Sequence, residues 1–145
     1  MRITQFAPKY FVTALFAAGL GIWLWQTFTP KATGAGHTVA VKVPELSPLA
    51  AQGKTAFDAN CATCHGVNAA GTDKGPPLVH NIYNPGHHSD EAFYFAAKQG
   101  SRSHHWRYGD MPPQPQVSDN QIAAIVRYVR ELQRANGISF QPHNM

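Results

Sequence analysis

Residues 61–65 read Cys61-Ala62-Thr63-Cys64-His65, and the fold follows from how this stretch is read. Cys61 and Cys64 are the only cysteines of the 145-residue chain, which excludes a disulfide scaffold. A thioredoxin-like redox pair places its CxxC at the start of a helix that follows a strand, whereas this one closes a helix. A zinc site needs four ligands, commonly a further Cys or His pair, and His80, His87 and His88 are available for it. Spacing and the adjacent histidine favour covalent haem attachment. Each thiol can form a thioether to one vinyl group of the same porphyrin, while His65 sits under the ring and gives its Nε2 to iron.

The flanking residues supply helices. Ser47-Pro48 is a good opening, with Ser as N-cap and Pro at the first helical position, and 49–60 continues as a helix. Gly53 inside it costs ~1 kcal/mol relative to Ala, which implies a close neighbour. Gly66 to Gly86 is rich in Gly and Pro and reads as loop. Ser89 caps a short helix through Gln99, with Asp90 and Glu91 in its first turn and Gly100 as its stop. Ser101 to Val117 reads as loop again. Ser118 and Gln121 form a capping box, and Asp119 to Ala135 follows as a helix. There Ile122, Ile125, Val126, Val129 and Leu132 recur at helical spacing and define a buried face. Asn136-Gly137 ends it. With no strand alternation the fold class is all-α. Its core segments are too few for a head of this size unless a further core component is present, and a porphyrin supplies one.

Charged residues make up 14% of the chain, against ~25% in an ordinary soluble domain. The deficit lies at the N-terminus, where Phe11 to Phe28 carries no charge. As a helix it would reach roughly 27 Å, near the ~30 Å of a hydrocarbon core. Arg2 and Lys9 precede it and hold the N-terminus inside, and Tyr10, Phe11, Trp23 and Trp25 suit the interfaces. Residues 1–28 are thus expected to be a transmembrane anchor. The alternative is a signal peptide cut near Thr33-Gly34-Ala35, although its apolar region would be only ~7–15 residues long. Both readings export the remainder: a flexible tether at 29–46, with His37 solvated, a haem domain at 47–138 and a tail at 139–145. Arg2, Lys9 and Lys31 account for three of the twelve basic residues, so the head is nearly neutral and gives no support to nucleic-acid binding.

From about Leu49 to Gly137 the chain resembles the class I cytochromes c. The resemblance implies a small helical domain wrapped around one haem c, preceded here by a single transmembrane helix. It implies Cys61 and Cys64 as thioether residues and His65 as proximal ligand. Gly75-Pro76-Pro77-Leu78 matches the family's turn, so the Pro76 carbonyl is expected to accept the His65 Nδ1 proton and Leu78 to pack on the haem. Gly109-Asp110-Met111-Pro112-Pro113 resembles the methionine loop and makes Met111 the second axial ligand, with His104 and His105 as alternatives. Gly53 and Phe57 resemble the first-helix pair that crosses the last helix at an aromatic residue, here Tyr128.

His80 to Arg107 departs from the short forms of the family. It holds His80, His87, His88, His104 and His105, with Tyr83 and Tyr94. Arg102, Trp106 and Arg107 are the candidates to bind the haem propionates. The histidine pairs read as solvated or propionate-linked, with copper or zinc binding as the alternative. Arg127, Arg130 and Arg134, interrupted by Glu131, read as a solvated stripe on the last helix. The function this implies is single-electron transfer on the exported side of an inner membrane, with the head in the periplasm. The partners would be a quinol-oxidising complex, a terminal oxidase or a dehydrogenase. The alternatives are a haem enzyme or gas sensor with a displaceable Met111, and a copper-linked redox protein.

Overall fold

Helix-capping chemistry sets the element order. The structure is a computed structural model, and it describes residues 8–28 and 37–142. Five α-helices occur among them: α1 (Pro8–Phe28), α2 (Pro48–Asn60), α3 (Ala62–His65), α4 (Asp90–Gln99) and α5 (Asp119–Ala135). Short 3-10 turns lie at Val67–Ala69 and Asn81–Tyr83. The chain divides into two units, Met1–Thr33 and Gly34–Met145.

In the first unit α1 exposes apolar side chains that include Leu15, Phe16, Leu20, Ile22 and Trp23. Among the described residues no helix is long and apolar enough to cross a membrane. The run of α1 with described side chains, 14–25, is shorter than the ~20 residues a crossing takes. Arg2, the side chains of Lys9, Tyr10 and Phe11, and Thr33-Gly34-Ala35 lie outside the described residues.

In the second unit each cap expected from the sequence is present. Ser47 Oγ accepts from Ala50 N, Ser89 Oγ from Ala92 N and Ser118 Oγ from Gln121 N, and Ser118 and Gln121 complete their capping box. Helices α2 and α5 cross at Gly53. A Cβ on Gly53 would stand 1.9 Å from the Ala124 carbonyl oxygen, so only glycine allows this approach. One turn on, Phe57 and Tyr128 are both fully buried and meet edge to face at 5.6 Å, an arrangement worth ~1 kcal/mol beyond area burial. The apolar stripe of α5 is buried as its periodicity predicts.

Three expectations are corrected. The first is the tether. Residues 37–46 lie along the head, where Val39, Val41 and Leu46 pack on its core. Backbone bonds fix them: Val39 N to Ala70 O at 2.9 Å, and Lys42 to both ends of the Asn136 amide. Residues 29–36 of the expected tether lie outside the described residues. His37 is exposed, as expected, while its N–H donates to the Tyr108 hydroxyl at 2.8 Å and its ring lies 5.0 Å from Trp106.

The second correction concerns the arginine stripe. Arg127 and Arg134 are exposed, but Arg130 is 7% exposed. Its guanidinium reaches Asp90 Oδ1 (2.7 Å), Tyr83 O (2.8 Å) and the Gln133 amide oxygen (2.7 Å) and lies 4.8 Å from the Phe93 ring centroid. Glu131, read as an interruption of that stripe, is buried too and accepts from Ser47 N and Oγ. Spacing alone had placed these polar groups on the outer face. The uncovered carbonyls of the 78–88 loop need donors, and α5 supplies them.

The third is the tail, whose first residues are tied to the head by Gln141 N to Asn84 Oδ1. Residues 143–145 lie outside the described residues.

Candidate functional site

A cavity of about 340 Å³ opens between α2, α4, α5 and the loops around 76–83 and 101–114. Phe57, Ile122, Ile125 and Val126 form its apolar floor. Cys61, His65, Pro76, Leu78, Arg102, Trp106 and Met111 all line it. Cys64 is exposed, and neither it nor Arg107 is among the lining residues. The Arg107 side chain is exposed, as is that of Arg102.

The CxxCH turn is wound into α3. Cys64 N and His65 N both donate to Cys61 O, and Gly71 N donates to His65 O. Thr72 Oγ1 donates to Cys64 O at 2.6 Å. His65 Nδ1 lies 2.9 Å from the Pro76 carbonyl oxygen, as the Gly-Pro turn implied. A carbonyl can only accept, so Nδ1 carries the proton and Nε2 keeps its lone pair. Burial pushes the His65 pKa below its ordinary value, and the Pro76 bond opposes that only in part. The imidazole is thus held neutral, as a metal ligand must be. Burial, and then the neighbouring Cys64, push the Cys61 thiol up to about 11. Until it is attached it is a protonated, weak nucleophile.

Met111 lies in a loop closed at its neck. Ser101 N donates to Met111 O (3.0 Å) and Met111 N to Ser101 O (2.8 Å), the one isolated antiparallel bridge among the described residues. Gly100 makes this contact possible. It has φ +80°, and a Cβ on it would lie 2.5 Å from Met111 O. Gln114 N then ties the loop to Ala97 O at 2.7 Å. The sequence showed loop here and hid the bridge, because a single residue pair leaves no alternating pattern.

A haem fits this cavity on an observation independent of the motif. Trp106 Nε1 is buried without a hydrogen-bond partner, at a cost of about 1–3 kcal/mol unless an acceptor arrives. The rings of His37, His80 and Tyr108 surround Trp106. It lies close enough to Tyr83 to oppose the effect of burial, which raises the Tyr83 phenol to about 12, yet makes no bond of good geometry to it. A propionate oxygen is the kind of acceptor that an N–H in this wall can take.

Sequence reasoning missed Arg130 and Gln133 as builders of the site. Gln133 Nε2 bonds Leu78 O (2.9 Å) and Tyr83 O (3.0 Å), so the two side chains hold the wall segment that presents Leu78, Tyr83 and His88 to the cavity. The signal available was two polar residues within a turn of the apolar stripe.

The histidines of 80–105 are gathered rather than scattered. His88, His104 and His105 line the cavity, and His87 Nε2 lies 3.1 Å from His105 Nε2. Burial first, then the nearby imidazoles, lower the pKa of His88 against the bond to Ile82 O, and the same two effects lower His105.

A family model described as cytochrome c matches residues 50–133. No curated protein and no solved structure matches the chain.

Proposed function

The chain belongs to the cytochrome c family, and from that membership we propose a membrane-attached carrier of single electrons between respiratory or dehydrogenase partners. Haem c is its cofactor, and Cys61 and Cys64 fit the attachment motif. When bound, the group supplies a one-electron iron couple. The chain's own residues do the rest. His65, oriented through Pro76, offers Nε2 as the proximal ligand. Met111 offers a neutral thioether, which favours the reduced state relative to a second imidazole. The apolar floor excludes water, and Trp106 and Arg102 take the propionates.

The observation that carries this reading is Met111, pinned to Ser101 at both backbone groups in the wall of the cavity that His65 also lines. Were His65 and Met111 both to hold the iron, no site would be left open for a substrate, which argues for a carrier and against an enzyme or gas sensor. The test is carbon monoxide on the ferrous protein. Wild type is expected to be low-spin and unreactive, with a near-infrared thioether-to-iron band, and Met111→Ala to bind the gas. Rapid stoichiometric binding by wild type would overturn the carrier in favour of the sensor.

The attachment rests on the uncharged run 11–28 and on the apolar side chains that α1 exposes. The positive flank Arg2 and Lys9 supports a head on the periplasmic side of an inner membrane. A quinol-oxidising complex, an oxidase or a dehydrogenase would then be the partner. Membranes washed in high salt are expected to retain the haem protein. Soluble haem protein beginning near Thr33 would sink the anchor.

A further inference from the structure

His87, His88 and His105 each offer one ring nitrogen, and these nitrogens lie within 4.8 Å of one another. We propose that they form a binding site for a divalent transition ion of the zinc and copper class, separate from the haem iron. His87 and His88 come from the wall that Arg130 and Gln133 hold, and His105 comes from the loop that ends at Met111.

One pair already stands at ligand spacing. His87 Nε2 and His105 Nε2 are 3.1 Å apart. Around a tetrahedral ion with bonds of about 2.0 Å, adjacent ligand nitrogens stand about 3.3 Å apart. A hydrogen-bonded pair of imidazoles has a similar spacing, but such a pair needs no third ring, and here His88 completes a triangle. The His88 tautomer is set for ligation. Its Nδ1 lies 2.7 Å from Ile82 O and must donate to it, which leaves the Nε2 lone pair for a metal, as is usual for ligating histidines. Its backbone is fixed as well, since His88 O accepts from buried Arg130. His87 is seated by its N–H on the Asn84 carbonyl at 3.0 Å.

The donor set names the class of ion. All three ligands are imidazoles and no carboxylate joins them, which suits zinc and copper and disfavours magnesium and calcium. A fourth position is left for water. His104 stacks on His88 at 5.8 Å but lies outside the set. A bound ion would join the wall to the Met111 loop across the edge of the cavity.

Holo-protein stripped with chelator and titrated calorimetrically with zinc chloride, and separately with copper(II) sulfate, tests this. We expect one ion per haem, bound at micromolar Kd or tighter, and no response to magnesium. His87→Gln, His88→Gln and His105→Gln should each weaken binding by roughly 100-fold or more, whereas His104→Gln should change it by less than about threefold. His87 is not among the residues that line the cavity, so its variant should keep the haem spectrum and isolates ligation from folding. Copper bound to wild type should show nitrogen couplings in its paramagnetic resonance spectrum. Binding no tighter than about 100 µM, or an equal loss in His104→Gln and His105→Gln, would overturn the site. Carbon monoxide reactivity, which tests Met111, reads neither outcome.

Discussion

Gly53 and Ala124 stand backbone to backbone, with the space for a methyl group on one taken by the carbonyl oxygen of the other. The crossing of α2 and α5 has no slack there, because the obstructing atoms are main chain and cannot rotate away. Gly53→Ala should therefore separate the helices and cost about 3 kcal/mol, even though Ala is the better helix former. Urea unfolding followed by far-ultraviolet circular dichroism checks this. A variant as stable as wild type would show that the helices are not in contact at this point.

Arg130 is the second place where one side chain holds several parts. Arg130→Met keeps an apolar stem but leaves the His88 carbonyl without its donor and the Tyr83 carbonyl with Gln133 alone. A loss of about 3 kcal/mol is expected. Arg130→Lys should restore less than half of it, because an ammonium lacks the planar fork. Denaturant midpoints of the three proteins, measured in parallel, decide the matter.

Gly100→Ala should act on Met111, the proposed sixth ligand, without touching it. A Cβ there strikes Met111 O, and φ +80° strains any L side chain. The near-infrared thioether band should weaken, and a carbon-monoxide-reactive fraction should appear at neutral pH. An unchanged spectrum would mean that Met111 is held by something other than its backbone pairing to Ser101.

Acid stability should depend on Glu131. Burial raises its pKa, but the bonds from Ser47 and then Arg127 outweigh this and hold it below the usual carboxylate range. A carboxyl depressed in the folded state stabilises the fold fully above its unfolded pKa of roughly 4.3 and loses that contribution as pH falls through the lower folded value. Glu131→Gln should thus cost about 2 kcal/mol at pH 7. The gap to wild type should close below about pH 4. Thermal midpoints from pH 7 to pH 3 measure it, and a pH-independent gap would assign the loss to packing.

What the sequence made legible was whatever repeats or caps. The Ser47, Ser89 and Ser118 caps, the α5 stripe and the CxxCH turn are local patterns, and local patterns survive in a string of residues. Gly53 was legible as an anomaly, since a glycine in a helix asks for a neighbour. Arg130 and Glu131 were misplaced because their partners, Tyr83, His88 and Ser47, are distant in sequence, and long-range polar pairing has no period. The strap at 37–46 was missed for a related reason. Its small residues and proline read as a linker, while its attachment depends on the Asn136 amide and the Ala70 carbonyl. The histidines were visible as pairs, but only folding reveals which three of them converge.

The paired bonds between Ser101 and Met111 have a consequence for how such a protein can change over time. They close residues 102–110 into a ring with fixed ends, so an insertion or deletion inside the ring is absorbed at its tip. The methionine stays where it is. The tip, where Arg107 is exposed, is thereby free to be remodelled for a new docking partner while the proposed ligand, and the redox character it would confer, is inherited unchanged.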